Sequence, residues 1–212
     1  VKRTNNLTTI LGNQRGGVAV MLFSLMSLIF CIAAMVISVD FVRIYTMKNK
    51  VKNGLNNALH AATLSFDEVS LSRGFIRLDT TTADKRAQDM FYNYLRKNLN
   101  LNDSNQALPI SVLPTGSAVD IKELVYVNYE DASLINLRSQ SSSCTYYSST
   151  KTVRCSVAEY LGAENEISRT ITEQIIGPSI FAIIATNHDG IGGLADERIM
   201  IAGVQELRFY KK

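Results

Sequence analysis

The sequence predicts an α+β protein: a long N-terminal transmembrane helix continuing into an exported domain with a second short helix and an antiparallel β-sheet. Three observations predict it. Residues 17–39 carry no charge, apolar residues at helical spacing continue past them, and beyond Pro109 apolar and polar positions alternate as they do in strands. The expected organisation is a cytoplasmic tail or pre-sequence at 1–16, a spanning and projecting helix at 17–66, and an exported domain at 67–212.

The uncharged run is 23 residues long, and a helix needs about 20 to cross the hydrocarbon layer. A helix also satisfies its own backbone hydrogen bonds, which lipid requires. A buried core helix would keep a polar face. A cleaved secretory signal would have an apolar stretch of about 7–15 residues and a small-residue exit. This run has neither property. Leu28 and Cys31 suggest a lipoprotein cleavage box, but bulky Phe30 stands where a small residue is needed, so Cys31 reads as a small apolar residue of the span.

After the span, Ile44, Met47, Val51, Leu55, Ala58 and Ala62 recur at steps of three and four, which places them on one helix face. No proline lies between Val18 and Phe66, and Gly54 is the only glycine breaker there. One helix over 18–66 would be about 70 Å long at 1.5 Å per residue. Ile44, Val51, Leu55, Ala58 and Ala62 form its expected packing face. The face turns small toward its end, which suits close approach either to the chain's own domain or to a neighbouring subunit. His60 falls on the polar side, without a ligand partner one turn away, and reads as solvated.

Residues 67–78 look irregular. A second helix follows, opened by a capping box at Thr81–Asp84 in its aspartate variant. Ala87, Met90, Phe91, Tyr94, Leu95 and Leu99 form its core stripe, and Asn98, Asn100 and Asn102 are its stop signals. Strands are expected at 119–129, 152–161, 168–176, 180–186 and 204–210, with turns at Pro178 and at 189–193.

Cys144 and Cys155 have ten residues between them, flanked by Ser and Thr, in a stretch that resembles a β-hairpin. With no His or further Cys nearby, the spacing favours a disulfide over a metal site, the alternative being two buried thiols. A disulfide needs an oxidising compartment. That decides orientation better than the basic residues do: Lys2, Arg3 and Arg15 precede the span, and Arg43, Lys48, Lys50 and Lys52 follow it. The N-terminus is expected in the cytoplasm and the domain outside.

No catalytic set emerges. The two histidines, His60 and His188, lie far apart, and no metalloprotease, nucleophile-elbow or phosphate-loop motif occurs. The 187–193 segment reads as a β-turn rather than a calcium loop, lacking a dense set of oxygen ligands. Glu159, Glu164 and Glu166 have no acid–base partner. The formal charge of +3, without a basic stripe, argues against nucleic acid. The chain reads as a non-enzyme needing no cofactor or metal.

Gln14, Arg15, Gly16, Ala19 and Val20 stand before and at the start of the span. Asp40, Arg43 and Tyr45 follow it, and then Asn53, Asn57, Ala58, Ala61 and Ala62. In this order they resemble the N-terminal region of TadE/TadG-like proteins of tight-adherence (Flp-type) pilus systems, over about residues 14–65. The resemblance implies a membrane-anchored minor pilin or pseudopilin-like component. Its partners would be other pilin-like subunits or assembly proteins, or copies of itself through the N-terminal helix. Pilins of the broader type IV class are cut after a glycine, which marks Gly16–Gly17 as the candidate processing junction. Met21 then stands where those pilins carry glutamate, and TadG-like members often remain uncut. The alternative function is a single-pass membrane sensor or receptor with an extracytoplasmic ligand-binding domain.

Overall fold

The computed structural model describes residues 14–79, 86–138, 142–161, 165–188 and 197–207. Three helices come first: α1 (Gln14–Thr63), α2 (Glu68–Ser72) and α3 (Arg86–Leu99). Seven strands follow: β1 (Val119–Asn128), β2 (Ser133–Asn136), β3 (Cys144–Tyr147), β4 (Thr152–Leu161), β5 (Asn165–Gln174), β6 (Ser179–His188) and β7 (Glu197–Glu206). The chain divides into two compact units, Val1–Arg43 and Ile44–Lys212. In the first, the described residues belong to α1.

The second unit is α+β, but its strands form two antiparallel sheets where one was expected, in the orders β2-β1-β6-β7 and β3-β4-β5. The division follows from which faces are apolar. Ile180, Ala182 and Ile184 of β6 join Leu55, Leu59, Phe91 and Leu95 in one core. Phe181 and Ile183 join Val153, Cys155 and Val157 in a second core, between the two sheets. β6 is therefore buried on both faces, which is why its apolar run does not alternate. Each large apolar side chain buried there contributes about 1.5–3 kcal/mol, an upper bound since the unfolded chain already hides part of that surface.

β1 serves both cores by a bulge. Ile121 pairs with Ile184 and Glu123 with Ile183, so Lys122 is an extra residue. Before the bulge Val119 and Ile121 face the helices; after it Leu124 and Tyr126 do, while Val125 and Val127 face the second sheet.

Two glycines mark where α1 packs closest. A Cβ on Gly54 would meet Leu99 Cδ2 of α3 at 2.6 Å. One on Gly203 of β7 would meet Leu59 Cδ1 at 2.8 Å and Leu55 Cδ2 at 3.1 Å. Gly54 is thus a packing point rather than a break, since α1 runs through it.

Several elements differ from expectation. α1 ends at Thr63, where Leu64 and Ser65 donate to the Ala61 and Ala62 carbonyls and Phe66 bridges to Leu78. Within 67–78, Asp67 accepts from the Val69 amide and caps α2, and Gly74 leaves the turn at φ 87°. In α3, Ala87, Phe91, Leu95 and Leu99 are buried, but Tyr94 is exposed. Asn100 ends it at φ 52°, the left-handed stop that asparagine tolerates. Strand β7 lies at Glu197–Glu206, so only 204–206 of the expected strand coincide with it. Its residues reach both cores (Ile199 and Ile201 one, Met200 and Ala202 the other), so no alternation marks it. The capping box at 81–84, the 189–193 turn, the 208–210 strand end and Glu164 lie outside the described residues, as do the side chains of Glu159 and Glu166.

Candidate functional site

Helix α1 carries the largest concentration of exposed apolar side chains. Val20, Met21, Leu22 and Phe23 are each more than half exposed, and four consecutive residues point in all directions around a helix; Phe30, Met35 and Phe41 continue the exposure further along. It is the one helix among the described residues long and apolar enough to cross a membrane. A helix apolar on every side needs an apolar surrounding, and among the described residues none of its most apolar stretch is buried. Gly16 and Gly17, the candidate processing junction, both lie in the first turn of α1, and apart from its own helix backbone and chain neighbours no described atom would lie within 4 Å of a Cβ on Gly17.

The expected packing face lies inside the domain. Val51, Leu55, Ala58 and Ala62 are fully buried in the core that α1 shares with α3 and the four-stranded sheet, and Ile44 is packed at its margin. Small Ala58 and Ala62 let α1 approach that core closely. Asn57 Nδ2, outside the face, donates to Asn98 Oδ1 of α3 at 3.2 Å. That pair borders a cleft of about 340 Å³ lined by Asn53, Asn57, Asn98 and Asn100.

Cys144 and Cys155 stand opposite each other on β3 and β4 and are joined in a disulfide, their Cα atoms 4.0 Å apart. Cys155 is fully buried and Cys144 lies at the edge of the second core. Glu123, which the sequence reading did not single out, holds the entry to this hairpin. The bulge turns its buried carboxylate toward the second sheet, where it accepts from the Ser143 amide (2.9 Å), Ser143 Oγ (2.7 Å) and Ser142 Oγ (2.9 Å). Three charge-assisted hydrogen bonds offset the cost of burying that charge. The adjacent charges Lys122-Glu123, which break the alternation of β1, were the available signal.

A second cleft, of about 420 Å³, opens beside the bulge and is lined by Tyr92, Asn105, Asp120, Arg138, Asn187 and Arg198 among others. Asp120 Oδ2 pairs with Lys122 Nζ at 2.6 Å and Arg198 Nη2 at 3.3 Å. Arg138 donates to the Lys122 carbonyl, and the Arg96 guanidinium covers the Tyr92 ring at 5.5 Å. His188 is buried at the end of β6 and His60 is exposed on α1. Among the described residues no three His, Cys, Asp or Glu side chains gather as a metal ion would require.

No family model matches the chain, and neither does any curated protein or solved structure. The functional reading therefore rests on the residues and their arrangement.

Proposed function

We propose that the protein is a membrane-anchored minor pilin or pseudopilin-like component of a Flp/Tad-type surface filament or of its assembly machinery. The observation carrying this is the uncharged, all-round exposed stretch of α1, whose later turns supply core residues of the α+β unit. A helix of this kind rests in lipid and can pass into a filament core with its apolar surface still covered. The N-terminus is cytoplasmic and the α+β unit extracytoplasmic, in keeping with the Cys144–Cys155 disulfide. The order of Arg15, Asp40, Arg43 and Tyr45 around the span supports the TadE/TadG-like assignment.

The test is to shear cells that produce a tagged full-length chain and to compare filament and membrane fractions, with and without the gene. Loss of filaments on deletion, with the chain in either fraction, supports the reading. Unchanged filaments and a purely membrane-bound chain would refute it. A sensor or receptor is the second reading, favoured by the 420 Å³ cleft around Asp120 and Arg198. It predicts that substitutions in the cleft change a cellular response without changing filament number.

A further inference from the structure

Among the described residues, the middle layer of the α+β unit ends at the edge of β7. In the order β2-β1-β6-β7, strand β7 pairs with β6 along all ten of its residues, and no described strand pairs with its other side. A groove of about 320 Å³ runs along that side. Five consecutive β7 residues line it: Arg198, Ile199, Met200, Ile201 and Ala202. A groove on a sheet face would show alternate residues, because side chains alternate between faces. Consecutive residues mean that it looks onto the edge, where half of the strand's amides and carbonyls point away from β6.

The other walls are Lys48, Asn49 and Lys52 of α1 and Arg169 of β5. They belong to the layers on either side of the four-stranded sheet, so the groove occupies the position where that sheet's next strand would lie. Its charged lining is entirely basic: Lys48, Lys52, Arg169 and Arg198, of which Lys48 and Arg198 already have partners within the chain, Asp120 being one for Arg198.

We propose that β7 takes up an extended acidic peptide segment of a partner protein as a fifth strand of this sheet. The backbone of the segment would pair with the β7 edge, as in other strand-addition complexes. Its side chains would alternate between the Lys48–Lys52 wall and the Arg169 wall, so acidic residues would be favoured on both faces. Unused edges are commonly blunted by lysines. That role differs measurably from the proposed one, because an edge that is only blunted would form no backbone pairing even with an acidic strand. The inference goes beyond the filament reading and does not depend on it.

The test uses the full chain in nonionic detergent and fluorescent ten-residue peptides, measured by anisotropy. One peptide alternates Thr with Val and carries Glu on both faces, a second replaces each Glu by Lys, and a third is the acidic peptide N-methylated at alternate amides. The acidic peptide should bind, the lysine peptide should bind about tenfold or more weakly, and the N-methylated one should lose binding. K52E combined with R169E should weaken the acidic peptide about tenfold, as expected for reversing two rim charges. Both side chains are exposed, so the fold should survive. Absence of acidic-peptide binding, or equal binding after N-methylation, would overturn the proposal. So would a response confined to added short-chain phosphatidylglycerol, which would make the groove a lipid-headgroup surface.

Discussion

Replacing Gly54 by alanine sets two effects of similar size against each other. In a helix interior, alanine is favoured over glycine by about 1 kcal/mol. Against this, the new Cβ would sit 2.6 Å from Leu99 Cδ2 and 3.0 Å from Leu99 Cγ. Because the branch carbon is also too close, the whole side chain must shift, and Leu99 is only 1% exposed. Overpacking a filled core costs about 1–3 kcal/mol, so the balance falls to a net loss of about 1 kcal/mol. Leu99→Ala alone should cost about 2–5 kcal/mol, but it removes both clashing atoms. In that background Gly54→Ala should change sign and stabilise by about 1 kcal/mol. The assay is urea unfolding of the full chain in nonionic detergent, followed by fluorescence of its nine tyrosines, since it has no tryptophan. If Gly54→Ala stabilises the parent protein, or has one sign in both backgrounds, the close contact between α1 and α3 is not what Gly54 serves.

Other perturbations bear on the second sheet and on Tyr126. Cys144→Ser with Cys155→Ser should cost about 3 kcal/mol, the usual worth of a bridge closing a short loop; in the parent protein neither cysteine should take up an alkylating reagent before reduction. Glu123→Ala should cost roughly 3 kcal/mol, because the Ser143 amide loses its buried charged acceptor, whereas Glu123→Gln keeps an oxygen there and should cost about 1 kcal/mol. Equal losses on unfolding would mean that the carboxylate does not organise the hairpin entry. Burial raises the Tyr126 hydroxyl above its ordinary 10.0, while the Leu78 amide that donates to it works in the opposite direction. A raised acid favours its neutral form in the fold. Its stabilising contribution is therefore complete below pH 10.0 and is lost as pH rises through the folded value. Tyr126→Phe should flatten the alkaline fall in stability seen by the same unfolding assay.

What could be read from the sequence followed how strongly each face was buried. Strand β4 (Thr152–Leu161) alternates between core and solvent over residues 152–158, and the alternation of its sequence located both ends. Strand β7 contributes to two cores and contains Gly203, so its period was lost and it was placed too late in the chain. Strand β2 has only four residues, all half-buried, too few to show a pattern. The cysteine pair was legible because spacing and flanking residues are local. The Glu123 clamp and the basic groove were not, since each joins residues far apart in sequence: Glu123 with Ser143, and Lys52 with Arg169 and Met200. Gly54 could be read only as a possible break, because its purpose is a contact with Leu99 of another helix.

The extra residue in β1 also has a meaning for how this chain can change length. Removing Lys122 would leave Ile121, Glu123, Leu124, Val125 and Tyr126 in simple alternation on the faces they already occupy. Removing an interior residue away from the bulge would invert the phase of residues on one side of it and send core side chains to the wrong face. Position 122 is thus a neutral slot in an otherwise frame-locked strand. What would be lost there is only the corner it serves, the carbonyl that receives Arg138 and the ammonium that pairs with Asp120. Gains and losses of single residues should therefore accumulate at that slot among descendants of this sequence, while the rest of β1 keeps its count.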